Sequence, residues 1–494
     1  MIGTMKRYLY LSHRWLGIVL CSFMALWFLS GVVMMYVGYP KQTNEERLGA
    51  LSSLTADNCC IDFNVALSAI TQKKLPDSVR ITTIADSPRY IFGFDKQQLA
   101  VNATTGLAIT AVSPVEAVLA AESYAKTKGH YQETVNEDAW THSRALDPHR
   151  PLHIVAIDDP EDTWLYVSGV TGEVVRDATG TERVWNWIGA WLHWLYPFRG
   201  NIFQSQAANI VIYSSLGGSI LALTGIVVGL LRWRFVGQYK SGSKSPYKQS
   251  LIKWHHLTGL IFGLTTFTWV LSGLFSVNPW KIFDSHSVID THAYRGGEFN
   301  ATTFQLPIKT AINSFKAANF EPVEIELHLI NGKGYMVGYA QSEQTKILAA
   351  DGSGAVFDQF DWQQLESAAQ KLLPNHVVIQ KTIIDDYDYY YYARAKHTMS
   401  GHLEKRLPIL RLEFDDPVRT WVQIDPYTGN FTKMDSYKRV SRFLFNFLHS
   451  WDWLVLLNNR PVWDVLLILF SLGGFLLSVT GAIVGWRRLR AMAF

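Results

Sequence analysis

Four of the fifteen histidines occupy positions that repeat along the chain. His13 and His255 are 242 residues apart and lie in similar stretches of sequence. His193 and His449 are 256 residues apart, and each follows an aromatic residue and a leucine. Two imidazoles that face each other across a helix bundle can supply the axial nitrogens of a b-type haem. The chain has no Cys-x-x-Cys-His sequence, which excludes covalent attachment of a c-type haem.

The histidines belong to an internal repeat that covers most of the chain. At an offset of 242 residues, the matching stretches are 13–17 with 255–259 and 27–31 with 269–273. Farther along, the offset is 256 or 257, because the second half carries an insertion of about 14 residues. The stretches that match there are 158–164 with 415–421, 191–193 with 447–449, and 216–225 with 472–481. The common order of these matches predicts that the chain arose by duplication.

Each histidine also has a simpler interpretation. A histidine at the end of a membrane span often only places its ring among the lipid headgroups. For any single one of the four histidines, this interpretation would be preferred to ligation. The repeat favours ligation, because it puts one pair at one depth and the other pair at another. Ligation could also join two histidines of the same half. His256 is a further candidate, but Arg14 is its counterpart, so we interpret it as a solvated neighbour.

Four apolar stretches are long enough to cross the roughly 30 Å hydrocarbon core of a membrane, which takes about 20 residues. They are residues 15–37, 209–231, 257–277 and 462–485. The chain is therefore predicted to be an α-helical membrane protein with four main spans.

The distribution of charge predicts the orientation of these spans. The segment 232–253 holds six Lys or Arg residues and no acid, and further basic residues precede the first span and follow the last. These segments are cytoplasmic by the positive-inside rule. All acids except Asp452 and Asp464 fall within residues 38–183 and 279–441. We expect a multi-pass protein of the bacterial inner membrane, with cytoplasmic termini, periplasmic acidic regions and two parallel repeats.

Two shorter apolar stretches, 184–196 and 443–457, precede the second and fourth spans. Both are rich in Trp or Phe and too short to cross a membrane comfortably, so we read them as helices in the outer interface. A pair of additional tilted spans is the alternative.

The two acidic regions are predicted to be α+β domains, each an antiparallel sheet with helices on one face. Four short turns that end in glycine, at 101–106, 167–172, 350–354 and 424–429, support hairpins there. The predicted parts are the first span (1–37), the first folded region (38–183), an interfacial helix with two spans and a basic loop (184–278), the second folded region (279–441), and an interfacial helix with the last span and tail (442–494).

The second folded region contains the unusual tract Asp-Asp-Tyr-Asp-Tyr-Tyr-Tyr-Tyr at 385–392. It could bind a ligand or metal at the outer surface, or its tyrosines could pack as strand residues, which is the more frequent arrangement.

Several of these motifs resemble the PepSY-associated transmembrane family of bacterial inner-membrane proteins. The resemblance covers nearly the whole chain and is clearest between residues 421 and 490. The motifs that carry it are His-Arg-Trp-Leu-Gly at 13–17, Ser-Gly at 30–31, Asp-Asp-Pro at 158–160 and 415–417, Asp-Pro-Tyr-Thr-Gly at 425–429, Phe-Asn-Phe-Leu-His-Ser at 445–450, Arg-Pro-Val-Trp-Asp at 460–464 and Gly-Trp-Arg-Arg at 485–488. His256 stands where the family often has arginine. The resemblance implies PepSY-like periplasmic domains and a role in iron uptake, since some members are haem-containing ferrisiderophore reductases.

These observations lead to one functional hypothesis. A quinol or a cytoplasmic reductase would donate electrons to an inner haem b held by His13 and His255. An outer haem b held by His193 and His449 would then reduce a ferric siderophore or another ferric chelate in the periplasm. Reduction to Fe(II) weakens the hold of the hard oxygen ligands and releases the metal.

Two other classes of function remain as rivals. The chain could be a non-redox, membrane-anchored protein whose PepSY-like domains bind a peptide, protease or regulatory partner. It could also be a permease for the chelate, although the four spans offer little polar lining. The near-neutral net charge of +3 argues against a nucleic-acid partner and leaves membrane lipid as the expected surroundings.

Overall fold

The computed structural model describes residues 2–57, 59–70, 72, 74–199 and 203–493. Four of its helices are long and apolar enough to cross a membrane: Thr4–Met34, Ala207–Arg232, Ser250–Ser276 and Val462–Met492. The prediction of four helices long and apolar enough to cross a membrane is confirmed. The first and third helices begin well before their apolar runs, so His13 and His255 lie inside helices.

The described residues form fourteen α-helices. They are α1 Ile2–Met34, α2 Asn44–Ala50, α3 Phe63–Ser68, α4 Pro114–Ala125, α5 Gly180–Ile188, α6 Ala190–His193, α7 Ala207–Arg232, α8 Ser250–Ser276, α9 Thr291–Arg295, α10 Ile308–Ala317, α11 Trp362–Gln370, α12 Ser436–Arg442, α13 Leu454–Leu457 and α14 Val462–Ala493. A π-helical turn, Phe443–Phe447, follows α12. Neither 184–196 nor 443–457 forms one helix of spanning length; each is broken into short pieces.

The strands form antiparallel sheets, as the alternating sequence predicts for α+β domains. They are β1 Ser78–Ile84, β2 Ser87–Phe94, β3 Gln97–Asn102, β4 Ala108–Ile109, β5 Gly129–Val135, β6 Leu152–Ile157, β7 Trp164–Ser168, β8 Val174–Ala178, β9 Glu324–Ile330, β10 Lys333–Tyr339, β11 Thr345–Ala349, β12 Val378–Ile384, β13 Ile409–Phe414, β14 Trp421–Ile424 and β15 Phe431–Met434. The glycines that end the four predicted turns all have positive φ.

One sheet is shared by the two folded regions. Its order is β11-β10-β9-β1-β2-β3-β4, so β1 of the first region pairs with β9 of the second, for example Arg80 opposite Glu326. Each region also has a four-stranded sheet of its own, β5-β6-β7-β8 in the first and β12-β13-β14-β15 in the second. The two regions are therefore joined by backbone hydrogen bonds.

A buried group of charges lies at this junction. Both guanidinium ends of Arg47 donate to the carboxylate of Glu324, at 2.7 and 2.9 Å. Arg80 donates to Glu324 at 3.0 Å and pairs with Glu173 at 2.5 Å. Glu324 is fully buried, and a buried carboxylate is tolerated only when it is paired and hydrogen-bonded. Because Glu324 belongs to the second region and its partners to the first, the group fixes one region against the other.

The four spans pack as a bundle in which each helix has two neighbours. Helix α1 packs against α7 and α14, and α8 packs against the same two helices. At one end, α1 leads into the first folded region and α8 into the second, while at the other end a loop of basic residues joins α7 to α8. His13 lies on α1 and His255 on α8.

Candidate functional site: two histidine pairs

The structure brings the four histidines together in two pairs, each joining one half of the chain to the other. The ring centroids of His193 and His449 are 6.0 Å apart at the end of the bundle that carries the folded regions. The ring centroids of His13 and His255 are 6.3 Å apart near the opposite end. In both pairs, the rings that lie close together come from different halves of the chain.

Hydrogen bonds fix the outer pair, His193 and His449, in matching ways. The Nδ1 atom of His193 lies 3.0 Å from the hydroxyl of Ser30, which itself donates to the carbonyl of Trp27. The Nδ1 atom of His449 lies 3.2 Å from the hydroxyl of Ser272 and 3.0 Å from the carbonyl of Trp269. Ser30 and Ser272 are both fully buried. Each ring is therefore held by the first span of its own half, at an equivalent position.

The inner pair, His13 and His255, is held by spans α7 and α14. The Nδ1 atom of His13 lies 3.2 Å from the carbonyl of Leu221. The Nδ1 atom of His255 lies 3.2 Å from the carbonyl of Leu477 and 3.1 Å from the hydroxyl of Thr480. That hydroxyl donates to the backbone of its own helix, so it too accepts from the ring.

These contacts determine which ring nitrogen carries the proton. A carbonyl oxygen only accepts, and the serine and threonine hydroxyls already donate to carbonyls, so each Nδ1 is the N–H donor. The other nitrogen, Nε2, then has its lone pair free, and no described residue is hydrogen-bonded to it in any of the four rings. Histidines that ligate metals usually donate their second ring N–H to a carbonyl or carboxylate in this way. All four rings are thus in the tautomer that leaves Nε2 free to bind a metal.

Each ring also lies against a glycine of a neighbouring span. A Cβ added to Gly225 would lie 2.8 Å from Cε1 of His13, and one added to Gly481 would lie 3.1 Å from Cε1 of His255. At the other end, a Cβ on Gly31 or Gly273 would lie 3.6 or 3.4 Å from Cε1 of His193 or His449. Small residues permit this close approach of ring to helix.

The spacing of the rings fits axial ligation of a single metal by each pair. Metal–imidazole bonds of about 2.0–2.1 Å put the two ligating nitrogens about 4 Å apart and the ring centroids roughly 6 Å apart. The observed separations are 6.3 and 6.0 Å. Haem needs only two protein ligands, so each pair supplies the number that one haem requires.

Short helices position His193 beneath the first folded region. Helix α5 begins at a capping box in which Thr179 and Glu182 satisfy each other's backbone N–H groups. Asn186 on this helix donates to the carbonyl of Gly38, just beyond the end of α1. The chain then turns at Gly189, which packs closely on Val33, and α6 lays His193 against α1.

A different construction positions His449. Asp435 caps α12 and also accepts from the backbone of the second folded region at residues 286 and 287. The π-helical turn that follows ends near His449, whose ring stacks on Phe445 at 5.1 Å. Trp463, at the start of α14, donates to the backbone carbonyls of residues 450 and 451. Single π-helical turns inside helices are frequent at functional sites.

His256 does not join either pair. Its ring is buried, with Nδ1 2.8 Å from the hydroxyl of Ser245 and Nε2 2.9 Å from the carbonyl of Gly229. Trp233 and Tyr247 pack edge-on against it. The interpretation of His256 as a solvated neighbour is wrong, because the basic loop folds back over it. Both ring nitrogens are engaged, so neither is free for a metal.

The sequence did not identify the residues that brace the His449 segment. Tyr392 donates to Asp452 at 2.6 Å, and Arg394 pairs with the same carboxylate at 3.5 Å. One signal was present, since Asp452 is one of only two acids outside the folded regions. The hydrogen-bond acceptors of His13 and His449 gave no signal, because backbone carbonyls have no side-chain signature.

Comparison with known proteins finds no family model that matches this chain and no curated protein with significant similarity to it.

Proposed function

We propose that this chain is an electron-transfer protein of the bacterial inner membrane that reduces a ferric chelate in the periplasm, in the manner of a ferrisiderophore reductase. It would hold one haem b between His13 and His255 and another between His193 and His449. The observation that carries the proposal is the set of four imidazoles, paired across the halves at about 6 Å, each with Nδ1–H engaged and Nε2 free.

When bound, haem supplies one-electron transfer; the chain supplies the ligands, their orientation and their surroundings. The carbonyls of Leu221, Leu477 and Trp269 hold the rings in one tautomer and increase the electron density at Nε2. The spans enclose the pairs in an apolar bundle, which favours neutral imidazole over imidazolium. Such surroundings also set the potential of an enclosed redox centre.

The depths of the two pairs suit transfer across a membrane. His13 and Ser30, the neighbour of His193, are 17 residues apart on the same helix, which corresponds to about 26 Å along its axis. The hydrocarbon core of a bilayer is roughly 30 Å thick. The two pairs would therefore lie close to opposite faces.

The proposed orientation rests on charge. The loop that joins α7 to α8 and both ends of the chain are basic, whereas the folded regions hold all but two of the acids. The positive-inside rule then gives cytoplasmic termini and periplasmic folded regions. The equivalent contacts of Ser30 and Ser272, and of Leu221 and Leu477, support two parallel repeats, and the short helices around His193 and His449 would lie in the outer interface.

The overall reaction balances with a quinol or a cytoplasmic reductase as donor. One quinol gives two electrons and two protons and becomes quinone, and the two electrons reduce two ferric chelates to the ferrous state. Each Fe(III) gains one electron without forming or breaking a covalent bond. Fe(II) is held less tightly by hard oxygen ligands, so the chelate then releases its metal.

An absorption spectrum tests the proposal directly. The full chain, expressed with adequate haem supply and purified in detergent, is expected to show a Soret band and to contain about two haems b. In proteoliposomes, quinol should reduce the bound haem, and a ferric chelate added outside should reoxidise it. Absence of a Soret band would sink the redox proposal and leave a non-redox, membrane-anchored binding protein as the better reading.

A further inference from the structure

The tyrosine tract of the second folded region makes a specific connection to the outer histidine pair. Asp388 anchors the tract: its carboxylate accepts from the backbone N–H groups of Tyr390 and Tyr391 and pairs with Arg411 on β13 at 2.5 Å. The hydroxyl of Tyr391 donates to the backbone of residue 406 at 2.8 Å. The tract is thus fixed to the sheet of the folded region, and its last tyrosine is Tyr392.

That last tyrosine, Tyr392, reaches the segment that carries His449. Its hydroxyl donates to Asp452 at 2.6 Å, and both side chains are about 95% buried, with 4% and 5% of their surface exposed. Asp452 also pairs with Arg394, and its backbone N–H donates to the carbonyl of Asn446 at 3.0 Å. The last bond closes a loop of backbone around His449.

The bond is well suited to hold this loop in place. Burial, followed by the negative charge of Asp452, raises the pKa of Tyr392, so the hydroxyl stays protonated and donates. A buried carboxylate that loses one of its partners is strongly destabilised. The segment therefore has little freedom to move away from Tyr392.

Among the described residues of the first half, no hydrogen bond equivalent to this connection occurs at the matching position. At the offset of 256 residues, Tyr196 is the counterpart of Asp452. Tyr196 instead packs with Tyr39 and Trp194, at ring distances of 5.9 and 5.4 Å. The two ligands of the outer pair are thus braced differently, one by an aromatic group and the other by a buried hydrogen bond to a folded region.

We infer that Tyr392 and Asp452 are positioning residues for His449, which make the geometry of the outer pair depend on the second folded region. The inference rests on the proposed function for its haem, but the bracing itself concerns the protein alone. No hydrogen bond joins either of these described side chains to the His449 ring, so both act through the backbone of the segment 443–453.

The test uses the full chain with Tyr392→Phe and Asp452→Asn, and Tyr387→Phe as the matched control. Tyr387 belongs to the same tract and also donates to a backbone carbonyl, that of residue 405, but it is half-exposed and contacts no described residue of the segment 443–453. Tyr392→Phe removes one oxygen atom and leaves the packing of the ring intact, so folding should be preserved.

Two measurements are made on each variant. Hydrogen exchange of residues 443–453, followed in protein prepared without haem, should become about tenfold faster in Tyr392→Phe and should not change in Tyr387→Phe. In haem-loaded protein, loss of haem from the outer site should be about tenfold faster, and its electron paramagnetic resonance signal should shift, while the inner-site signal stays the same.

Unchanged exchange and an unchanged outer-site signal in both Tyr392→Phe and Asp452→Asn would overturn the inference. If the unsubstituted chain binds no haem, the proposed function fails, and the exchange measurement still decides whether Tyr392 braces the His449 segment.

Discussion

The Nδ1 atom of His449 lies 3.0 Å from the backbone carbonyl of Trp269. The contact between His193 and Ser30 occupies the equivalent position in the first half. Trp269 and Ser272 are on α8, and their counterparts Trp27 and Ser30 are on α1. In each half, the first span therefore orients that half's outer histidine, His193 or His449. The free Nε2 atoms lie between the two spans. This arrangement makes separate predictions for the ligands, their hydrogen bonds and their packing.

Replacing any one of the four paired histidines by alanine should remove about half of the bound haem, because each haem would lose one of its two axial ligands. His13→Ala and His255→Ala should affect one spectral component, and His193→Ala and His449→Ala the other. Haem content is measured per chain in the pyridine complex. His292→Ala, at an exposed position in the second folded region, is the control. Full haem content in all four variants would remove the ligand assignment.

Removal of the Ser272 hydroxyl should loosen the outer haem without removing its ligand. Ser272→Ala leaves the Trp269 carbonyl as the remaining partner of His449, so the ligand stays but is less firmly oriented. Loss of such a partner typically costs 10–100-fold in metal affinity, and we expect a value near the lower limit, about tenfold. Ser276→Ala, one turn farther along and bonded only to its own helix, is the matched control. Equal haem affinity in the two variants would contradict the proposed role of Ser272.

An alanine at position 225 should displace the ring of His13. The new Cβ would lie 2.8 Å from Cε1 and 3.2 Å from Nδ1 of His13, so the ring would have to move. We expect roughly tenfold weaker retention of the inner haem, with the outer haem unaffected. Gly17→Ala in α1 is the control, because its Cβ would make only ordinary contacts of 3.7 Å. Gly481→Ala is less suitable, since it would also collide with Cys21.

The sequence predicted much of this site through a single property, the repeat. Equivalence of position selected His13 and His255 without any knowledge of what surrounds them. The same reasoning misread His256, because its partner Ser245 lies in a loop that carries no repeat signal. The pairing of β1 with β9 was also missed. It joins residues about 245 positions apart, and hydrophobic alternation along a strand does not specify which distant strand is its neighbour.

The charge group at the junction of the folded regions predicts acid sensitivity. Burial opposes ionisation of Glu324, but the charges of Arg47 and Arg80 outweigh it and lower its pKa from 4.5 to about 2. Because the pKa of Glu324 is lower in the folded state, the group stabilises the fold at any pH above its ordinary pKa of 4.5. This stabilisation is lost as the pH falls from about 4.5 towards 2. The thermal midpoint of the folded regions should therefore fall steeply over that range.

Glu324→Gln tests the same group at neutral pH. The substitution leaves Arg47 and Arg80 without their shared carboxylate, and breaking a buried pair in this way costs about 3–5 kcal/mol. The variant should also lose part of the decline in stability between pH 4.5 and 2. Glu133→Gln, at an exposed position on β5, should match the unsubstituted chain. Both quantities come from thermal unfolding followed by circular dichroism, and identical curves for the two variants would contradict the assignment.

The proposed orientation predicts which side of the membrane each end of the bundle faces. Ser241 lies in the basic loop between α7 and α8, and Ser353 lies at an exposed turn of the second folded region. A membrane-impermeant maleimide added to intact cells should label Ser353→Cys and should not label Ser241→Cys. After the membrane is permeabilised, both should react, because both positions are solvent-exposed at the surface of the chain. The unsubstituted chain, which already contains Cys21, Cys59 and Cys60, gives the background. Labelling of Ser241→Cys alone in intact cells would invert the orientation, and the electrons would then have to leave at the His13–His255 end.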